Sequence, residues 1–243
     1  MSGHSKWHNI QGRKNAQDAK RGKIFQKLSR EIYMAAKSGG PDPDGNPTLR
    51  MVIDKARSNN MPNDNINRTI KKAAGDTDSD NYESITYEGY GPAGVAVIVN
   101  TLTDNRNRTA ADVRHAFDKN GGNMGQTGCV SFMFSLKGIV VLDNEDGDID
   151  EDKAMEDILE AGGDDFSFEE GCVEISTDPN SVSEVAENLA KMGYKVLSAE
   201  AEQVPSTYVT LTDEEHLKKM NLLLEALDDN DDVQNVWHNW EEE

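Results

Sequence analysis

Apolar residues recur every three or four positions through the first third of the chain. In the first such stretch, the residues on one helical face are Ile24, Phe25, Leu28, Ile32 and Ala35. This spacing predicts a helix from Gln17 to about Lys37, ended by the glycines that precede PDPDGNP. A second helix after Pro47 and a third over about residues 63–74 repeat the pattern. Together they predict a small three-helix bundle.

After the polar linker at residues 75–84 the pattern alternates in the manner of strands. ITYEGYG and VAVIVNTLT predict a strand pair, followed by a helix over about residues 108–119. The next predicted strands are VSFMFS, GIVVLD, DDFSFEE, CVEIST and KVLSAE, with helices near 150–161 and 179–192 among them. The chain ends with STYVTLT, a helix over about 213–227, and VQNVWHNW.

Counting these elements suggests how they group into domains. The stretch after residue 129 holds enough strands and helices for an α+β sandwich of its own, whereas the stretch before it needs the strands of the tail. The sequence therefore predicts a multidomain α and α+β protein, with an N-terminal three-helix bundle followed by two α+β sandwich domains, the first of them discontinuous. The predicted ranges are 1–78, then 79–129 plus 205–243, and an inserted domain at 130–204. A linear arrangement of the domains is the alternative.

Charge separates the ends of this chain. The whole chain has a formal net charge of -20. Residues 1–75 nevertheless contain 15 Lys and Arg against 6 Asp and Glu, a net charge of +9, while residues 76–243 contain 10 against 39, a net charge of -29. A positive end on an acidic protein predicts a polyanionic partner that docks in one orientation.

The cations concentrate in the first thirty residues, around one tryptophan. They are Lys6, Arg13, Lys14, Lys20, Arg21, Lys23, Lys27 and Arg30, with Trp7 and His8 among them. Lysine and arginine supply sequence-independent contacts to phosphates, and an aromatic ring among them is typical of RNA and single-strand binding. We predict that this basic head grips a nucleic-acid backbone while the acidic remainder stays clear of it. The alternative is a solvated basic face with Trp7 packed on the bundle.

Two further features offer weaker contacts. Arg106 and Arg108 in TDNRNRT lie at a predicted helix start, where backbone N–H groups also attract anions, so they predict a second phosphate contact. They are equally compatible with pairing to nearby acids. The second and third helices, joined by a loose SNNMPN turn, also resemble a helix-turn-helix motif for DNA.

Other kinds of binding site and catalytic site have little support in the sequence. GGNMGQTG lacks the spacing of a phosphate-binding loop, DNEDGDIDED fails the calcium-loop pattern, and His4 and His8 lack accompanying metal ligands. No nucleophile motif, membrane-length apolar run or signal peptide is visible. We expect a non-enzymatic cytoplasmic protein without cofactor, metal or small-molecule substrate.

Several long motifs resemble the YebC/PmpR family. They are GHSKWHNI, KRGKIFQKLSREI, GGPDPDGNPTLR, NNMPNDNINRTIKK, YEGYGPAGVAVIV, TDNRNRTAADVRHAF and GGNMGQTGCVSFMF. The resemblance implies an N-terminal helical bundle and two α+β domains, the second domain discontinuous. It carries over the residues of the N-terminal basic motif, Lys6, Trp7, His8, Arg13, Lys14, Lys20, Arg21 and Lys23, and less directly Arg106 and Arg108. The chain has Cys129 and Phe132 where the motif usually has Ser and Trp.

Family members include probable DNA-binding transcriptional regulators. Others, among them mitochondrial relatives, are ribosome-associated factors that help difficult nascent sequences through peptide-bond formation. The resemblance and the basic head together predict a translation factor that contacts ribosomal or transfer RNA. The alternatives are a transcriptional regulator that binds duplex DNA, and an acidic protein-interaction scaffold.

Overall fold

The structure, a computed structural model, describes residues 17–75, 82–169 and 171–241, with side chains from residue 22 onward. Its helices are α1 (Gln17–Gly39), α2 (Pro47–Ser58), α3 (Asn63–Gly75), α4 (Arg106–Lys119), α5 (Glu151–Ala161), α6 (Val182–Lys191) and α7 (Glu214–Asp228). Its strands are β1 (Glu83–Tyr90), β2 (Ala96–Thr103), β3 (Asn123–Met124), β4 (Phe134–Asp143), β5 (Asp165–Glu169), β6 (Cys172–Thr177), β7 (Val196–Pro205), β8 (Val209–Thr210), β9 (Val233–His238) and β10 (Trp240–Glu241). The predicted fold class is confirmed.

The first three helices pack around a common apolar core. It contains Leu28, Ile32, Leu49, Ile53, Ala56, Met61, Ile66 and Ala73. Asn46 begins α2 by accepting a hydrogen bond from the N–H of Leu49 at 3.1 Å, and its own amide donates to the carbonyl of Ala35 at 2.8 Å. One buried side chain thus caps α2 and ties it to the end of α1.

The turn between α2 and α3 is tighter than the sequence suggested. It spans residues 59–62, with Asn60 in the left-handed region at φ 58° and Met61 only 4% exposed. Burying Met61 folds the turn onto the bundle core, which a loose loop could not do.

A four-stranded sheet in the order β3-β1-β2-β9 follows in the same compact unit. Every residue of β2 except Asn100 is buried, because both faces of this central strand are covered. Val97 and Val99 face the core formed with α4 and α7, while Ala96 and Ile98 pack against Val130, Phe134 and Trp237.

Strand β9, near the end of the chain, pairs antiparallel with β2. The sheet therefore combines residues from both sides of Leu136–Val204, which form a compact unit of their own. The exact domain boundaries given above stay a prediction.

The unit at Leu136–Val204 has strand order β5-β6-β4-β7, with α5 and α6 in the β-α-β-β-α-β sequence of a split β-α-β sandwich. A Cβ at Gly163 would lie 2.6 Å from Cγ2 of Ile158 and 2.9 Å from Cγ2 of Ile175. The missing side chain lets α5 pack directly onto β6.

The prediction of a separate strand over VSFMFS is wrong. Residues Ser131–Met133 form a 3₁₀ turn, and a single strand, β4, begins at Phe134. The carboxylate of Glu88, 3% exposed, accepts hydrogen bonds from the N–H groups of Gly128, Val130 and Ser131 at 2.8–2.9 Å. These donors are therefore unavailable to a strand ladder.

Burial disfavours the charged form of Glu88, but its three backbone donors outweigh that cost and hold its pKa below the usual value. We expect Glu88→Gln to lower the free energy of unfolding by about 1–3 kcal/mol, because an amide places its own N–H against these donors. Urea unfolding of the full chain measures this. Glu156→Gln removes an exposed carboxylate from α5 and is the matched control; equal losses in both variants would contradict the assigned role of Glu88.

Candidate nucleic-acid interface

The structure describes the side chains of five predicted site residues. Lys6, Trp7, His8, Arg13 and Lys14 lie outside the described residues, and Lys20 and Arg21 lie in α1 with their side chains outside the described part. The five described side chains are Lys23, Lys27, Arg30, Arg106 and Arg108.

Three cations of α1, Lys23, Lys27 and Arg30, follow one face at positions i, i+4 and i+7, and all three contact the acidic loop, residues 228–232. Lys23 Nζ lies 3.1 Å from Asp229 Oδ1, and Lys27 Nζ donates to the Asp228 carbonyl at 2.7 Å. Arg30 donates to the Asp231 carbonyl at 2.7 Å and to Asp232 Oδ1 at 2.9 Å. The stripe therefore already holds a row of oxygen acceptors.

Helix α7 explains why the acidic loop needs these cations. The last turn of α7 contains no basic residue, so its unpaired carbonyls and the negative end of its dipole have no local compensation. Lys23 and Lys27 supply it from α1 by donating to the carbonyls of Asp229 and Asp228 at 3.3 and 2.7 Å. Side chains of α1 thus cap the C-terminal end of α7.

Asp232 is the centre of the contact. Its side chain is 4% exposed, and its Oδ2 accepts from Arg108 at 2.7 Å and from the hydroxyl of Thr109 at 2.8 Å, while Oδ1 accepts from Arg30. The hydroxyl of Thr103 lies 3.2 Å from the same Oδ2. Burial disfavours ionisation of Asp232, but Arg108, Thr109 and Arg30 outweigh it and hold its pKa below the usual value.

Exposure separates the three cations of α1. The side chain of Lys23 is 45% exposed, whereas those of Lys27 and Arg30 are 13% and 17% exposed. Arg30 is further covered by Tyr82, whose ring centroid lies 5.6 Å from its Cζ. Lys27 and Arg30 are therefore structural contacts here, and Lys23 is the most accessible of the three.

That the acidic remainder stays clear of a bound nucleic-acid backbone stays a prediction, but the acidic loop itself contacts the basic helix. The sequence pattern did not reveal that Lys23, Lys27 and Arg30 contact this loop, because residues 200 positions away do not enter a helical-periodicity argument. The run DDNDD at the end of a helix whose last turn has no basic residue was the available signal.

Arg106 and Arg108 have different surroundings, although both lie in the first turn of α4. Asn105 caps this turn by accepting from the N–H of Arg108 at 3.1 Å. Arg108 pairs with Asp104 at 2.9 Å as well as with Asp232, which raises its pKa. Arg106 is 66% exposed, and its guanidinium is 4.0 Å from Glu83. Arg108 thus anchors the fold, while Arg106 presents its charge to solvent.

Two further properties bear on this site. Within the described ranges, no cluster of three potential metal ligands occurs. None of the described helices combines the length and hydropathy needed to cross a bilayer.

Comparison with known proteins covers nearly the whole chain. The family model for the TACO1/YebC protein N-terminal domain matches residues 5–76, and the model for the TACO1/YebC second and third domain matches residues 82–240. A probable transcriptional regulatory protein of Lactobacillus acidophilus is 62% identical, over 98% of this chain and 97% of that protein. Another, from a Geobacillus species, is 57% identical over 100% and 98%.

The fold is also similar to a solved structure. The crystal structure of a conserved hypothetical protein from Aquifex aeolicus has a TM-score of 0.82 and 45% sequence identity. The similarity covers 92% of this chain and 91% of that one.

We expect Asp232→Asn to lower the free energy of unfolding by about 3 kcal/mol at neutral pH, because Arg30 and Arg108 lose their shared carboxylate. The folded-state pKa of Asp232 lies below the ordinary value of about 4, so its contribution is present above that pH and disappears as the pH falls through the folded-state pKa. Urea unfolding at neutral pH and near pH 3 measures both effects. The matched control is Asp231→Asn, which removes an exposed carboxylate from the same loop; a loss that persists undiminished in acid would contradict the assignment.

Proposed function

Because this chain belongs to the TACO1/YebC family, we propose that it is a nucleic-acid-binding regulator of gene expression, acting as a ribosome-associated translation factor. Its basic N-terminal head contacts the phosphates of ribosomal or transfer RNA. The name of its relatives, probable transcriptional regulatory protein, supports a regulatory role on nucleic acid. Residues 1–75 have a net charge of +9 on a chain of net charge -20, which supports the N-terminal end as the part that contacts nucleic acid.

The observation that carries this proposal is the row of oxygen atoms along α1. Lys23, Lys27 and Arg30 bind carbonyl and carboxylate oxygens at 2.7–3.3 Å, which are the distances that the same groups would make to phosphate oxygens. The spacing along the helix, about 6 Å for four residues, presents these donors in series. The helix face therefore binds oxygen acceptors in series, and Lys23, the most exposed of the three, is the member open to a phosphate.

Of these three cations, only Lys23 can exchange its acidic partner for a phosphate at a small cost in free energy. Lys23 and Asp229 are 45% and 49% exposed, and pairs of this kind contribute about 0–1 kcal/mol. A phosphate can therefore replace Asp229 at Lys23. Lys27 and Arg30 remain against the acidic loop and fix the direction of α1, so that Lys20, Arg21, Lys23 and the residues before them form the contact.

Arg106 supplies a second contact in this proposal. It is 66% exposed, and at 4.0 Å its interaction with Glu83 is long for an ion pair. It lies at the N-terminus of α4, where the helix dipole also favours an anion. Arg108 has no such role, because Asp104 and Asp232 already occupy it.

A DNA-binding transcriptional regulator is the second candidate. The relatives' name favours it, as does the compact turn over residues 59–62 that joins α2 to α3. RNA is the preferred target because the head includes Trp7 among its cations, and aromatic stacking is typical of unpaired bases.

We expect Lys20→Glu with Lys23→Glu to abolish co-sedimentation of the full chain with ribosomes at physiological salt, because two attractive charges become repulsive. The matched control is Lys119→Glu with Lys218→Glu, which makes the same charge change on exposed helical lysines of α4 and α7. Unchanged co-sedimentation in the first variant would refute the translation proposal. Tight, sequence-dependent binding to a short DNA duplex would favour the second candidate instead.

We expect Asp228→Asn with Asp229→Asn to raise affinity for RNA by about two- to fivefold, because two carboxylates that compete with phosphate for α1 are neutralised. Fluorescence anisotropy with a labelled RNA hairpin measures this. Asp146→Asn with Asp148→Asn removes the same charge from exposed positions outside this loop and reports the general effect. Equal gains in the two variants would show that the acidic loop does not compete.

A further inference from the structure

A groove of about 460 Å³ lies on the helical bundle, away from the residues of the acidic loop contact. Its floor is apolar and consists of Ile53, Ile66 and Ile70, and Pro41 and Pro43 line it from the segment before α2. The volume is within the range of small-ligand sites and exceeds what a water or a simple ion would need.

Polar groups line the same groove at helical spacing. Asn63, Asn67 and Lys71 lie at i, i+4 and i+8 on α3, beside the apolar pair Ile66 and Ile70. One helix face thus carries an apolar row and a polar row in parallel, and both border one cavity.

The charged groups of the lining are cations. Lys71 has no carboxylate partner among the described residues. Arg57 lies 3.3 Å from Asp54, and both side chains are more than half exposed, so this pair is weak and exchangeable. The groove therefore favours a ligand with negative charge.

The nearby acids of the PDPD segment do not line the groove. The carboxylate of Asp42 accepts from the N–H of Asp44 at 3.0 Å, which turns it back onto its own loop. The carboxylate of Asp44 lies 4.0 Å from Arg50. Neither cancels the charge of Arg57 and Lys71 inside the groove.

We propose that this groove binds one unpaired nucleotide of a single nucleic-acid strand, an inference that rests on the proposed function. The base packs on the isoleucine floor and the prolines, the amides of Asn63 and Asn67 hydrogen-bond its edge, and Arg57 and Lys71 hold the adjoining phosphate. Arginine and asparagine have the donors and acceptors that this recognition requires. A paired base cannot enter, because it must leave the stack to reach the floor.

A peptide added as a strand fits this site less well. That mode of recognition uses unpaired backbone N–H and C=O groups at a sheet edge. This groove is walled by two helices, whose interior backbone groups are already hydrogen-bonded. Its specificity must come from the amides and cations, which suit a base and a phosphate.

The test uses the full chain and a short fluorescein-labelled oligoadenylate, as single-stranded RNA, as single-stranded DNA, and as a duplex with its complement. Lys71→Ala removes a phosphate contact. Asn67→Leu replaces an amide with an apolar side chain of similar size and leaves the charge unchanged. Lys119→Ala is the matched control, because Lys119 is also an exposed helical lysine without a carboxylate partner among the described residues. Residues 67 and 71 are exposed, so neither change disturbs the core.

We expect Lys71→Ala and Asn67→Leu each to weaken single-strand binding by about fivefold, and Lys119→Ala by less than about twofold. Duplex affinity should fall equally in Lys71→Ala and Lys119→Ala. Loss of the same size on RNA and DNA supports a site for the base and phosphate, while a larger loss on RNA supports a site that also contacts the 2′-hydroxyl.

The groove assignment is overturned, while the proposed function stands, if single-strand binding by both groove variants matches that of Lys119→Ala. If ribosome co-sedimentation is weakened in the same variants, the groove is part of a surface that binds protein. If the unaltered chain binds none of the probes and does not co-sediment with ribosomes, the proposed function and the groove assignment both fail.

Discussion

Asp232 joins its own loop to two parts of the chain that are far from it in sequence, namely α1 and the segment over residues 102–109. It accepts from Arg30 of α1, from Arg108 and Thr109 of α4, and its backbone carbonyl accepts from Leu102 of β2 at 2.7 Å. A carboxylate this buried is tolerated only because several donors surround it, so its position is fixed by all of them at once. Asp232 therefore places α1 together with the contacts that Lys23 and Lys27 make to Asp229 and Asp228.

The contacts around Asp232 and the acidic loop give the basic residues different roles. Folding distinguishes cations that a charge pattern alone would treat as equivalent. Lys27 and Arg30 are mostly buried against the acidic loop. Arg108 pairs with the buried Asp232 although its own side chain is 47% exposed, and Lys23 and Arg106 are 45% and 66% exposed. An acidic body therefore does more than repel polyanions. Its acidic loop holds α1 through carboxylate and carbonyl oxygens that accept from Lys23, Lys27 and Arg30.

Local patterns predicted most elements because helical and strand periodicities report which face is buried. The three-helix bundle, the central strand β2 and the helices of both α+β units follow from them. The prediction failed at Ser131–Met133, where an apolar run reads as a strand but Glu88 takes the backbone N–H groups that a ladder needs. The turn before α3 was read as loose for a similar reason, since nothing local indicates that Met61 is buried.

Residue order by itself determined three properties: the fold class through periodicity, the separation of charge between the ends of the chain, and the family resemblance through long motifs. Which cations pair with which acids is decided by folding alone. The acidic loop meets α1 across about 200 positions of sequence, and the groove combines α2, α3 and the PDPD segment through packing. Electrostatic contact depends on distance in space, and only the tertiary structure sets that distance.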